Sequence, residues 1–469
     1  MTHHYVDVGV QQIQTYLVRA QRLKGRRGAS SMITKATSRP AVERCLSGLG
    51  VTVHDEAGHV DGVVSVLVED PADVPDVVAR LVGALRTALP AAFLTAGHLV
   101  GDNYASAYDL GREDTWEFPA VSPEWVGAQR CDWCNVWPVI ARIPSEDGDD
   151  KKDSVCRDCH ARSAEGRATE VGNKPLAETR LLRELAGPAG REVPTTFDEL
   201  ARLSPYPDDD NHLATVFADG NAVGGLIAAL RRAAAQDPQQ ALHLQNAPRL
   251  IDDATWTALV AAVRVISGDE PAGHWPVIAH LVGGDDLLAT VPAPYAWPFV
   301  RTYLREFADG VAPLARDGLR GSASAGVVFH QIKEPLSVVT DLAHDLLKIA
   351  KKEHGGLRAA VSWQSITHEG SAAVHERHSV ALDDLAEHAD ALTHLAAVPR
   401  SQRHVLARML REKVDLDGQL RRIRVRQEST EPGEDVPHIA LATLAEPFLG
   451  DNPVVPLTSA LALTRWWSA

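Results

Sequence analysis

Aromatic residues are scarce in this chain of 469 residues: Phe, Trp and Tyr together make up 5%. Its cores must therefore be built mainly from Ala, Leu and Val. Positive charge is also in deficit, with 47 Lys and Arg against 62 Asp and Glu and a net charge of −15. That balance excludes nonspecific coating of nucleic acid or an anionic membrane, so any such contact needs a local basic patch. No run approaches the roughly 18 apolar residues of a membrane span, and Met1-Thr2-His3-His4-Tyr5 is no signal peptide. The expected location is the cytoplasm, with no membrane partner. Cysteine is rare too. Four of the five stand at 131, 134, 156 and 159, with Cys45 alone, and in a reducing compartment that pattern argues for metal before disulfide.

What is present is ordinary for a globular protein. Hydrophobic residues at 45% and charged residues at 23% exclude wholesale disorder. The length suggests two to four domains at roughly 100–200 residues each.

The first segment alternates strand and helix. Tyr5 to Val10 reads as a strand, and Ile13, Tyr16, Leu17, Ala20 and Leu23 recur at helical spacing. Val51-Thr52-Val53 and Val63 to Val68 read as a hairpin around Ala57-Gly58; Asp76 to Leu89 is a helix and Phe93 to Val100 a strand. Such a β-α-β-β-α-β series is the split-βαβ, ferredoxin-like arrangement. Residues 129–165 lack a clear period, and 166–209 read as a helical linker ending at Ser204-Pro205-Tyr206-Pro207. The alternation then restarts: strands at Leu213–Ala218, Pro276–Val282, Leu287–Val291, Ala325–Phe329 and Ala359–Ile366, with helices at Ala222–Ala235, Trp256–Ile266, Pro298–Phe307 and Leu336–Lys352. From about 375 onward no strand is expected, only helices over Val380–Leu395 and Arg403–Arg426.

Cys131-x-x-Cys134 and Cys156-x-x-Cys159, 21 residues apart, present two thiolates each from a tight turn, together a closed tetrahedral sulfur shell for structural zinc. His160 is a minor alternative to Cys159 as ligand. The other reading is four reduced cysteines or two redox pairs. Cys45 reads as a small buried hydrophobe.

Gly283-Gly284-Asp285-Asp286 lies between two apolar runs, as a hairpin turn with aspartates at its tip. Asp219 ends the run Val216-Phe217-Ala218 and precedes Gly220-Asn221. If the two strands are neighbours, these acids can share Mg²⁺ or Mn²⁺, hard ions suited to phosphoryl transfer. Lys348, Lys351 and Lys352 face away from the apolar stripe Val339, Leu342, Leu346 and Ala350. They can grip a triphosphate or form a solvated face with Asp345 paired to Lys348. Lys24 to Ser31 reads as a basic, glycine-containing loop without Walker A spacing. His54-Asp55 and His344-Asp345 spell the dipeptide of HD-type hydrolases but have no partner histidines at suitable positions.

On these residues the sequence resembles the large signature subunit of type III CRISPR effector complexes, in the palm superfamily of the GGDEF diguanylate cyclases. Asp7-Val8-Gly9-Val10-Gln11 through Leu23 to Ser30 looks like the opening of that family's first, non-catalytic palm, and the CxxC pairs like its zinc insertion. Phe217-Ala218-Asp219-Gly220-Asn221 and Gly283-Gly284-Asp285-Asp286-Leu287-Leu288 look like the metal motifs of its second palm. Ser324-Ala325-Gly326 and Lys348 to Lys352 fall where the family has a nucleotide-facing strand and a lysine-bearing helix.

The resemblance implies an α+β chain of two tandem ferredoxin-like palms with a zinc-knuckle insertion and a C-terminal helical domain. The boundaries are 1–128, 129–165, 166–209 as linker, 210–372 and 373–469. It implies an enzyme that joins ATP into cyclic oligoadenylate, with Asp219, Asp285 and Asp286 holding Mg²⁺ or Mn²⁺. Gly220, Gly283, Gly284, Ser324 and the three lysines would line the nucleotide. Small RNA-binding effector subunits, and guide RNA through them, are the implied partners. Many members carry an HD nuclease domain ahead of the first palm; this chain opens at that palm, so DNA cleavage is not expected of it. Two other readings are a catalytically silent scaffold of a guide-RNA complex and a stand-alone cyclic dinucleotide synthase.

Overall fold

The computed structural model of the chain describes residues 2–20, 23–54, 62–110, 112–120, 129–145, 151–170, 176–185, 191–206, 211–236, 241–267, 273–369, 378–411, 445–449 and 453–467. Two sheets with helices dominate it, the first antiparallel and the second mixed. The first is made from β1 (His3–Gln11), β2 (Val51–Val53), β3 (Val63–Val68), β4 (Phe93–Gly101) and β5 (Arg112–Phe118). Its strand order is β2-β3-β1-β4-β5, with β1 antiparallel to both β3 and β4. Helices α1 (Ile13–Val18), α2 (Leu23–Ala36) and α3 (Arg39–Cys45) join β1 to β2, and α4 (Val74–Ala88) joins β3 to β4. The short α5 (Tyr104–Leu110) follows β4. Val6, Val8 and Val10 alternate along β1 and are buried against Tyr16, Ile33, Val77 and Leu81, as the two-residue strand period requires.

Two short strands, β6 (Ala141–Pro144) and β7 (Lys152–Val155), pair beside α6 (Arg157–Glu170), and α7 (Leu176–Leu185) and α8 (Phe197–Ala201) lead onward. The second sheet contains β8 (His212–Asn221), β9 (Ile278–Gly283), β10 (Asp286–Pro292), β11 (Ser322–Gln331), β12 (Ala360–Ser365) and β13 (His378–Ala381). Its order is β13-β12-β11-β8-β10-β9. Thus β8, β9, β10 and β11 repeat the 4-1-3-2 order of β1 to β4, the split-βαβ arrangement. Helices α9 (Val223–Gln236), α10 (Ala241–Ser267) and α11 (Ala296–Val311) cover one face, and α12 (Leu336–Glu353) the other. A strand covered on both sides should read as a continuous apolar run, and Leu213 to Ala218 is buried throughout. Leu336, Val339, Ala343, Leu346, Leu347 and Ala350 are the buried stripe of α12. Gly326 of β11 lets that helix sit close, since a Cβ there would strike the Ala343 carbonyl.

The remaining helices are α13 (Ile366–Glu369), α14 (Leu382–Glu387), α15 (Ala389–Ala397), α16 (Arg400–Arg411) and α17 (Leu457–Leu463). Leu385, Leu392, Leu395, Trp466 and Trp467 share one buried core with Trp297 and Trp363 of the second sheet and its helices.

Three expectations are corrected. A strand does occur beyond 375: β13 pairs with β12, and at four residues it is too short for alternation to reveal. Val380 and Ala381 therefore belong to a strand, and the helix starts at Leu382. Lys24 to Ser31 is not a loop but part of α2, with Arg26 and Arg27 buried. Gly25 and Gly28 stand there because α2 packs closely on Trp133 and on the Arg162 carbonyl of α6. The expected turn at Ala57-Gly58 and the end of the Arg403–Arg426 helix lie outside the described residues.

Candidate active site

The end of β8 and the turn between β9 and β10 meet at one edge. Ala218 pairs with Leu287 across β8 and β10, so continuing the register sets Asp219 beside Asp286. Asp219 also lies within hydrogen-bonding reach of the Asp285 carboxyl. The chain must be glycine at 220: a Cβ there would stand 2.7 Å from Asp285 Oδ2 and 2.5 Å from Val223 Cγ2. Gly284 takes φ +58, the left-handed region that glycine enters freely. Both polar groups of that residue are tied to α10, with Asp252 Oδ1 accepting from Gly284 N at 3.2 Å and Thr255 Oγ1 donating to Gly284 O at 2.6 Å. Nothing surrounds Gly283 within 4 Å of where a Cβ would lie.

Three carboxylates at one edge repel. Burial, then the charge of Asp219, pushes the Asp285 carboxyl up to about 6 and the Asp286 carboxyl up to about 7. Asp286 Oδ1 is buried without a hydrogen-bond partner. The cluster is short of positive charge, and only one cation side chain is seen in contact with it among the described residues. Lys351 Nζ pairs with Asp219 Oδ2 and donates to Gly220 O at 2.8 Å. Asp219, Asp285 and Asp286 are hard oxygen donors, and an orphaned buried carboxylate oxygen suits a divalent ion.

The three lysines separate. Lys351 enters the site, Lys348 pairs with Asp345 at 3.2 Å, and Lys352 is exposed. Ser324 stands on β11. It is fully buried, and its hydroxyl accepts from Asn221 Nδ2 at 3.0 Å and donates to Arg358 O at 3.4 Å. It pairs with Asp219 in register and spends its hydroxyl inside the sheet edge.

The four paired cysteines converge elsewhere. All their sulfurs lie within 4.8 Å of one another, and all four residues are buried. Cys134 Sγ and Cys156 Sγ are 3.8 Å apart, which is the tetrahedral edge expected for bonds of about 2.3 Å to zinc. The donor set fits a closed metal site. His160 is exposed, outside the cluster. Cys45 is half-buried and bonds the Arg80 carbonyl. His54 stacks on Tyr104 rather than joining a hydrolase site.

Residues 212–360 match the family model of the Cas10/Cmr2 second palm domain. That stretch holds Asp219, Asp285, Asp286 and Lys351. That stretch is similar to the second palm of Cas10. The chain shares the fold of a chain of the Csm1–Csm4 cassette in complex with cA4, at 13% identity and TM-score 0.54, covering 99% of this chain and 69% of that one. The cassette in complex with AMPPNP matches at 14% identity and TM-score 0.52, covering 99% and 68%. The Csm1–Csm4 subcomplex of the type III-A CRISPR-Csm interference complex matches at 12% and 0.51, covering 99% and 69%. No curated protein matches by sequence. No helix among the described residues is long and apolar enough to cross a membrane.

Around the acidic site of this Cas10-like palm, sequence reasoning missed three residues. Asp252 and Thr255 are polar positions on a long amphipathic helix, with nothing in the sequence to tie them to a turn thirty residues on. Gln14 of α1 donates to Asp286 Oδ2 at 2.8 Å across 272 residues of chain, a contact only the packing of the two sheets creates.

Proposed function

We propose that the chain is an ATP-dependent nucleotidyltransferase that makes cyclic oligoadenylate within a type III CRISPR effector system. In this reading residues 1–128 are a first, non-catalytic palm, 129–165 a zinc knuckle, 166–209 a linker, 210–372 the catalytic palm and 373–469 a C-terminal helical domain. The observation that carries it is the meeting of Asp219 with the Asp285–Asp286 turn at one sheet edge, inside the stretch that matches the second palm.

Asp219, Asp285 and Asp286 would hold Mg²⁺ or Mn²⁺. Bound there, the ions supply Lewis acidity that makes a 3′-hydroxyl a competent nucleophile toward an α-phosphate, with pyrophosphate leaving. The chain's own residues do the rest. Gly220 leaves the space that Asp285 fills, and Gly283 leaves the turn open to a nucleotide. Lys351, half-buried against Asp219, neutralises the acids and is placed to exchange that partner for a triphosphate oxygen. Lys348, one turn back, and Lys352, the next residue, are exposed and add positive charge for the phosphate tail. The four cysteines close around Zn²⁺ with no open position, a folding role rather than a chemical one. Likeness to Csm1–Csm4 complexes supports assembly with small RNA-binding subunits, and contact with guide RNA through them.

The test supplies the chain, assembled with guide complex and target RNA, with ATP and Mn²⁺. The wild type is expected to release pyrophosphate and cyclic product. Asp285→Ala is expected to release neither while keeping its zinc and its melting temperature. A wild type that makes no pyrophosphate overturns the enzyme and leaves the scaffold.

A further inference from the structure

We propose that Gln14 is a positioning residue for Asp286: its amide ties down one carboxylate oxygen so that the other alone is offered to the acidic site. This role presupposes the metal-binding reading of the three aspartates. Asp286 Oδ2 accepts from Gln14 Nε2 at 2.8 Å, while Oδ1 is buried with no hydrogen-bond partner. A carboxylate with one oxygen engaged by a neutral donor is held in one orientation, and its free oxygen presents a single donor atom. Partners of this kind behind a ligand typically set metal affinity by 10–100-fold.

The helix that carries Gln14 is itself fixed from several sides. Six residues are too few for a stable isolated helix. Arg162 Nη2 donates to Tyr16 O at 2.8 Å and Nη1 to Leu17 O at 3.5 Å, binding carbonyls at the end of α1. Arg162 also lies 4.1 Å from the centre of the Tyr16 ring, and the Tyr16 hydroxyl donates to Asp158 at 3.0 Å. Arg19 Nη1 holds the Ala91 carbonyl at 2.9 Å. The backbone under Gln14 thus has no freedom to follow Asp286 elsewhere. The Gln14 side chain lines a small cavity with Leu17, Phe217, Leu281 and Leu288 and with the polar Arg26 and His280, so a leucine of similar size keeps the bulk and removes only the donor.

The test is calorimetric titration of the Mn²⁺ complex of a non-hydrolysable ATP analogue into the zinc-loaded full chain. It compares the wild type, Gln14→Leu, Asp286→Asn and the double variant. Gln14→Leu is expected to bind about 10-fold more weakly at an unchanged melting temperature and zinc content. In the Asp286→Asn background it is expected to change nothing further, because the residue it acts through no longer carries the charge. Equal affinity for wild type and Gln14→Leu overturns the role of Gln14 and leaves the metal site standing. A full additional loss in the double variant overturns action through Asp286. A wild type with no affinity for the complex overturns the metal site and this role together.

Discussion

The four central strands of the two sheets are one plan executed twice, and at the edge where the acids stand they part company in charge. Each first strand is followed by a non-glycine residue with left-handed backbone, Gln12 at φ 51 and Ala222 at φ 57. Aligned on those two residues, Gln11 matches Asn221 and Thr95 matches Ser324, and each pair makes the same amide-to-hydroxyl bond at 3.0 Å. The registers agree as well, Val8 pairing with Val64 as Ala218 pairs with Leu287. On that alignment Gly9, Gly62 and Val63 stand where the second sheet has Asp219, Asp285 and Asp286, and Val10 where it has Gly220. The backbone geometry of the site is therefore a property of the fold, present in both halves. The acids are an addition, tolerated in the second half where Lys351 and Gln14 contact them.

Making the second half like the first breaks the comparison hardest. Asp219→Gly with Asp286→Val is expected to lower ATP conversion by at least ~10³-fold, about 4 kcal/mol of barrier, while hydrogen exchange in β8 to β11 stays slow. Retained turnover would mean the acids are not the chemistry. Next, Gly220→Ala should cost about 1–3 kcal/mol by crowding Val223 and Asp285 and cut turnover with it. Val10→Ala should cost about 2 kcal/mol of lost burial and leave turnover alone. Denaturant melts and pyrophosphate release, measured on both, separate the two outcomes.

The smallest effect is in pH. The Asp286 carboxyl titrates near 7 in the folded chain against 3.8 unperturbed. A carboxyl raised on folding opposes stability when ionised, so the metal-free wild type should gain stability relative to Asp286→Asn as pH falls from about 8 toward 5. His280 and His330 are buried and held neutral, well below 6.5 and at about 4 respectively. Their contribution runs the other way, being lost below about 6.5, but it is common to both proteins and cancels in the difference. Parallel melting curves at pH 6 and 8 without divalent ions would show Asp286 to be unstrained.

Much of this was legible because it is periodic. The stripe of α12 announced itself by 3.6-residue spacing, and its bounds differ from the expectation by one residue. The glycine–aspartate turn announced itself between two apolar runs. What stayed hidden was relational. Gly25 and Gly28 look like loop residues until a neighbouring helix is seen pressed against them. Ser324 shares a register position with Asp219, yet which way its hydroxyl is spent depends on Asn221 beside it. Lys351 and Lys348 are indistinguishable on a helical wheel; only the placement of Asp345 and Asp219 tells one from the other.

Arg162 reaches back 145 residues to bind the carbonyl of Leu17. On the ribosome, then, the helix bearing Gln14 emerges long before the side chain that secures it. The amino-terminal sheet can collapse early, but its most consequential corner must wait for the segment that carries Arg162 to be made. A chain halted before that segment would have its first sheet in order and lack the brace behind Gln14.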